Sequence, residues 1–164
     1  MIALVRVDNR LLHGQILEAW VPRLGARRIL VADDEAARTP LARAAMTLAL
    51  PPDLPADVEP LEAVEWDRVA ASPEPVLVLV RDVEGLRRAA ARGLTPALSP
   101  RLNVGNVHFA PGRRPVTASA YLAPEEVEEL RALSAAGFAV DLRAVPSDSP
   151  LGIDEVERRT RSPG

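Results

Sequence analysis

The run Arg6-Val7-Asp8-Asn9-Arg10-Leu11-Leu12-His13-Gly14-Gln15 gathers an imidazole, a carboxylate and two guanidiniums into one short stretch. A neutral imidazole is a nucleophile near physiological pH and can carry a phosphoryl group. Arg10, three residues before His13, offers a planar fork of donors that matches phosphoryl oxygens, and Arg6 is expected to reach the same region. Gly14 lets the backbone come close to a ligand. If a helix starts here, the free N–H groups of Gly14, Gln15 and Ile16 point at an incoming anion. Asp8 has two available roles, holding Arg10 or binding the second imidazole nitrogen so that the other attacks. The plainer reading of the same residues is a polar loop histidine beside a surface ion pair of little energetic weight.

His108, the only other histidine, follows Asn103-Val104-Gly105-Asn106. With Asn103 and Gly105 it is a candidate wall of the same cleft, the alternative being a hydrogen-bonded structural histidine. Trp20 and Trp66 are read as core or rim residues, and Met46 as a gap filler on a helix.

These residues need elements to position them. Ile2 to Val7 and Arg28 to Ala32 read as strands, and between them Ile16, Leu17, Trp20, Val21 and Leu24 recur at helical spacing within 14–24. His13 then falls at a strand-to-helix junction. Thr39-Pro40 supplies a hydroxyl N-cap and a proline at the first helical position, with Leu41, Ala44, Ala45 and Leu48 on one face until Pro51-Pro52. A strand near Val58 to Leu61 leads to a short helical piece around Trp66. The apolar run Pro75 to Val80 suits a central strand buried on both faces. Asp82 is placed to cap the next helix, which carries Val83, Leu86 and Ala90 and ends at Gly93 in a left-handed conformation.

Beyond Gly105 the pattern changes. Val107 to Ala110 and Pro115 to Ala120 flank Pro111-Gly112-Arg113-Arg114, which reads as a hairpin or tight connection. Pro124-Glu125-Glu126 opens a helix with Val127, Leu130 and Leu133 inward, and Gly137 ends it. Phe138 to Val145 reads as a last strand, a short helix around Ile153 to Arg159 follows, and Thr160 to Gly164 is expected to fray. The alternation of strands and helices predicts a single α/β domain over 1–164, an open, mostly parallel twisted sheet with helices on both faces and a hairpin-like region in the C-terminal half. In such sheets ligands bind at the C-terminal ends of strands.

Composition prunes the function classes. Aromatic residues are 3% of the chain and the net charge is −3, so a base-stacking platform and a polyanion-binding surface are both disfavoured, and no nucleic-acid partner is expected. With no cysteine there is no thiolate nucleophile, disulfide or cysteine metal site, and two distant histidines make a structural zinc site a poor fit. No apolar stretch is long enough to cross a bilayer, so the protein is expected to be soluble and cytoplasmic. There is no G-x-G-x-x-G after the first strand, no G-x-x-x-x-G-K-[ST] and no G-x-S-x-G. Asp33-Asp34-Glu35 is read as a helix-start charge run, not a metal site. Neither cofactor nor metal is expected.

The ten-residue first motif resembles the phosphorylation-site motif of the enzyme IIB components of the mannose/fructose/sorbose family of the bacterial sugar phosphotransferase system. Asn103-Val104-Gly105-Asn106-Val107-His108-Phe109 looks like that family's second motif. The later helix, Gly137, the last strand and Val145-Pro146-Ser147-Asp148 fall in the family's order. The resemblance implies that His13 accepts phosphate from the phosphohistidine of a IIA partner and donates it to sugar entering through membrane IIC and IID permease components. Arg10 and Asp8 would then be catalytic, with Arg6, Gly14 and Gln15 binding phosphate. It further implies a cytoplasmic protein, held peripherally at the inner membrane through the permease. The alternative is a regulatory module in which phosphorylation of the same histidine changes protein contacts without sugar transport. Two positions depart from the family pattern. Asn9 stands where a second acid is common, and Asn106 where glycine is frequent.

Overall fold

The computed structural model describes residues 1–161. Six strands form one sheet in the order β3-β2-β4-β1-β5-β8: β1 Ile2–Asp8, β2 Arg28–Ala32, β3 Ala56–Glu59, β4 Val76–Val80, β5 Arg101–Asn106 and β8 Ala139–Asp141. Every pairing in it is parallel. β1 and β4 are buried along their whole length, the pattern of strands covered on both faces. Side chains alternate between two apolar clusters: Leu4, Ile29, Val31, Leu77 and Leu79 join Ile16 and Trp20, while Val5, Val7, Leu30, Val78 and Val80 join Leu86, Val104 and Leu130.

β1 sits between β4 and β5, and its connection runs back across β4 to β2, whereas β5 connects outward to β8. The loops after β1 and β5 therefore diverge, leaving a crevice at the C-terminal ends of these two strands.

The helices are α1 Val21–Leu24, α2 Asp34–Arg38, α3 Pro40–Leu48, α4 Trp66–Ala70, α5 Val83–Ala91, α6 Pro124–Ala135 and α7 Ile153–Arg161. Asp33 and Asp82 cap α2 and α5, accepting from the amides of Ala36 and Gly85 at 2.9 and 2.8 Å. Asp33 also takes a two-pronged ion pair from Arg81, which accounts for the acidic cluster as a helix start. Gly93 and Gly137 both have positive φ, 113° and 111°.

Several sequence expectations are corrected. Thr39 does not cap α3 with its hydroxyl, which instead donates to the carbonyl of Glu35. The face of α3 carrying Leu41, Ala44, Ala45 and Leu48 points to solvent, with Leu41 and Leu48 80% and 86% exposed. Ala42 and Met46 face inward instead. The third strand starts and ends earlier than expected, because Leu61–Ala63 is a 3-10 turn. The antiparallel pair in the C-terminal half is β6 Arg114–Pro115 with β7 Tyr121–Leu122, so the reversal lies at 116–120 and not at Pro111–Arg114. The last strand stops at Asp141 because beyond it Leu142 turns to Leu151 and the carbonyl of Arg143 is taken by side chains. Thr160 and Arg161 belong to α7, where Thr160 donates to the carbonyls of Val156 and Glu157. Residues 162–164, the rest of the tail expected to fray, lie outside the described residues.

Candidate active site at the end of the first strand

Asp8 is the last residue of β1, and its side chain is fully buried. Its Oδ2 accepts from His13 Nε2 at 2.8 Å, Asn106 Nδ2 at 3.0 Å and Arg6 Nη2 at 3.1 Å, and its Oδ1 accepts from the amide of Arg10 at 3.0 Å. Burial by itself pushes this carboxyl up. The hydrogen bond from His13, the charge of Arg6, the Arg10 amide and the Asn106 side chain outweigh it and hold the acid below the ordinary carboxylate range. The carboxylate is thus ionised at neutral pH, and the nitrogen facing it must carry the proton. Spacing left Asp8 two candidate partners, His13 and Arg10, and its side chain contacts both, since Arg10 Nε also lies 3.8 Å from Oδ1.

His13 presents its other face outward. Its side chain is 15% exposed, and among the described residues no protein group holds Nδ1. Its carbonyl accepts from the amides of Ile16 and Leu17 and so opens the helical stretch that begins at Gly14. Ile16 therefore spends its N–H inside the turn and is removed from the anion-binding set, leaving Gly14 and Gln15 at the helix start. The loop reaches this geometry through Leu11, whose φ of 57° is left-handed and whose amide donates to the Asp8 carbonyl at 2.9 Å. A non-glycine residue there costs roughly 1–2 kcal/mol, offset by the burial of its side chain.

Arg10 lies at the surface with its side chain 51% exposed and Nη2 3.4 Å from Gln15 Oε1. The remaining donors of its guanidinium are available to an anion beside His13.

Arg6 is different from the expectation that it binds phosphate. Its side chain is fully buried, with Nη2 on Asp8, and Nη1 donating to Asn103 Oδ1 at 2.6 Å and to the carbonyl of Arg143 at 3.2 Å. The guanidinium carbon sits 4.9 Å from the ring centre of Trp20, and burial lowers the arginine's pKa against the opposing pull of Asp8. Arg6 therefore acts as the counter-ion under Asp8. Asn103 is likewise not a wall of the cleft but a buried bridge, its amide nitrogen donating to the Arg143 carbonyl and to Asp141.

Gly105 has a steric reason. A Cβ there would lie 2.0 Å from the Arg6 guanidinium carbon, so only glycine lets Arg6 pass beneath β5. His108 is exposed and its carbonyl accepts from Arg113; among the described residues no hydrogen bond or ion pair joins its side chain to His13.

Trp20, the backbone of Arg143 and Asn106 complete the arrangement; of the three, the sequence marks Asn106 alone, as a departure from the family pattern. Trp20 occurs on a π-helical segment, Ile16–Trp20, where the wider turn carries the indole beneath Arg6 while its Nε1 donates to the Ala144 carbonyl at 2.9 Å. A tryptophan seven residues, about two helical turns, after the histidine is the available signal. For Arg143 there was none, because its contribution is a backbone carbonyl. No cluster of three or more His, Asp or Glu side chains suited to a metal occurs among the described residues. None of their helices is long and apolar enough to cross a membrane.

Chemically, the site offers one accessible imidazole nitrogen, fixed by a carboxylate on the other side of the ring, with an exposed guanidinium and two helix-start amides beside it. Known proteins are similar to this chain over most of its length. The sorbose-specific EIIB component of Klebsiella pneumoniae is 29% identical over 154 residues, covering 93% of this chain and 92% of that protein. The mannose-specific EIIAB component of Escherichia coli strain K12 is 28% identical over 155 residues, covering 92% of this chain and 46% of that longer protein. The crystal structure of the IIBSor domain of the sorbose permease from Klebsiella pneumoniae superposes with a TM-score of 0.85 at 27% identity, covering 99% of each chain. That of the N-acetylgalactosamine-specific IIB component 1 from Escherichia coli gives 0.81 at 25% identity over 92% of this chain and 97% of the other. The family described as PTS system sorbose subfamily IIB component matches residues 2–162, and the chain belongs to that family, whose members are phosphotransferase components of sugar uptake.

Proposed function

We propose that His13 is the phosphoryl carrier of this IIB component, and that Nδ1 is the atom that bears the phosphate. The observation that carries this reading is the 2.8 Å contact between His13 Nε2 and the buried carboxylate of Asp8. An ionised acid there keeps the proton on Nε2 and leaves the Nδ1 lone pair to attack. As the N–P bond forms, the bond from phosphorus to the donor histidine breaks and its electron pair returns to the donor's imidazole. The Nε2 proton stays in place, and Asp8 balances the positive charge that the ring acquires. In the onward step a sugar oxygen attacks phosphorus, the electron pair of the N–P bond returns to Nδ1, and the hydroxyl proton leaves to solvent. Arg10 and the amides of Gly14 and Gln15 receive the charge on the moving phosphoryl group.

The donor is a phosphorylated IIA protein or domain, a pairing supported by the mannose-specific EIIAB relative, whose name joins the two activities in one protein. The acceptor is sugar presented by IIC and IID permease components.

Incubation with labelled phospho-IIA tests the reading. Wild type is expected to take up acid-labile, base-stable label and His13→Ala none; equal labelling of the two removes His13 from the reaction. Nitrogen NMR of the phosphorylated protein checks the attachment atom, and phosphate on Nε2 would overturn the role given to Asp8.

A further inference from the structure

Asn106 reaches the site through an irregularity in β5. Val5, Arg6 and Val7 pair in step with Leu102, Asn103 and Val104, but Asp8 pairs with Asn106, and Gly105 is skipped. The extra residue is the one whose missing side chain makes room for Arg6. A bulge of this kind re-aims the side chain that follows it, and here it delivers the Asn106 amide to Asp8 Oδ2 at 3.0 Å. The Asn106 carbonyl accepts from the amide of Asn9 at 3.0 Å, so the residue is tied to the His13 loop by main chain as well as side chain.

The choice of oxygen matters. Asn106 donates to the same Oδ2 that accepts from His13 and Arg6, while Oδ1 takes the Arg10 amide and faces Arg10 Nε. Three donors on one carboxylate oxygen divide its basicity, so each added donor weakens the hold on the others. We infer that Asn106 is a positioning residue that tempers the pull of Asp8 on the Nε2 proton of His13 and thereby lengthens the life of the phosphohistidine.

This rests on the phosphocarrier reading above. Hydrolytic loss needs water to attack phosphorus while the N–P pair returns to Nδ1, giving inorganic phosphate and a neutral imidazole that still holds its Nε2 proton. Departure is easy while that proton stays and difficult once it is shed. A carboxylate freed of its third donor holds the proton more firmly and keeps the ring in the state that loses phosphate. Asn106 relaxes that hold without touching the reacting atoms.

The experiment compares wild type with Asn106→Ala after phosphorylation by phospho-IIA. The variant's phosphohistidine is expected to hydrolyse roughly threefold faster at neutral pH, a modest change for one shared hydrogen bond. Its Asp8 carboxyl, followed by carbon NMR, is expected to titrate roughly half a pH unit higher. A merely structural role would not move the Asp8 titration. Should the variant fail to fold, wild type alone decides the matter, since its Asn106 side-chain amide resonances should shift through the Asp8 titration. A flat amide response overturns the inference. Normal labelling with an unchanged half-life in the variant overturns the role of Asn106 alone, whereas absence of label on wild-type His13 overturns the carrier reading and this inference with it.

Discussion

Arg6 and Gly105 are one packing solution written on two strands: the guanidinium occupies the volume a side chain at 105 would need. Gly105→Ala should therefore cost several kcal/mol in the wild type, because it displaces a buried cation from its carboxylate, a change worth about 3–5 kcal/mol where a buried pair is broken. In an Arg6→Ala background the same substitution should cost far less, since the volume is empty. Urea denaturation of the four proteins reads this as a coupling energy, and strict additivity would show that the two residues do not compete for space. Arg10, by contrast, is half exposed, and Arg10→Ala should leave stability within about 0.5 kcal/mol while slowing phosphoryl transfer by roughly one to two orders of magnitude. A transfer rate equal to wild type would remove Arg10 from the mechanism. Spacing shows that both can approach His13, but burial decides which serves the carboxylate and which faces the anion, and burial depends on Trp20 and Asn103, distant in the chain.

At the scale of elements, the apolar runs of β1 and β4, the helix start at Asp33-Asp34-Glu35, the cap Asp82 and the stops at Gly93 and Gly137 are legible because each is set by local chemistry. The boundaries that shifted depend on tertiary partners. β8 ends at Asp141 because Asn103 and Arg6 claim the carbonyl of Arg143, and α3 turns Leu41 and Leu48 outward although its periodicity alone allows either face. The π-helical segment that places Trp20 has no marker in the residue pattern. These differences are measurable. Asp82→Ala, which removes the carboxylate acceptor of the Gly85 amide, should cost about 1 kcal/mol, the usual value of an N-cap. Thr39→Ala should cost clearly less, since that hydroxyl bonds the preceding helix and not the start of α3. Leu48→Ser should lie within about 0.5 kcal/mol of wild type as an exposed substitution, whereas Leu79→Ala in the fully buried β4 should cost about 2–5 kcal/mol. Chemical denaturation orders the four variants, and a large loss for Leu48→Ser would mean that α3 packs the other way round.

For the molecule as a whole, the response to acid should report the site. Among the described residues, five carboxyls have pKa values held below their ordinary range: Asp8, Asp34, Glu84, Glu155 and Glu157. A carboxyl depressed in the folded state binds its proton more readily in the unfolded chain, so its stabilisation is complete above the unfolded value, about 3.9 for Asp and 4.3 for Glu. It is lost as pH falls from there through the folded value. Four of these acids pair with arginines at the surface, where solvent and salt screen the interaction. Asp8 alone is buried, with four donors fixed around it. Stability measured against pH at high ionic strength should therefore keep a falling limb below pH of about 4 that belongs chiefly to Asp8. Asp8→Asn should be less stable than wild type at pH 7, because it leaves Arg6 buried without a counter-charge, yet show a flatter acid limb in the same salt. If the variant's limb is as steep as that of wild type, the surface pairs dominate the acid response and the buried carboxylate is not the group that links the proton affinity of the fold to that of the site.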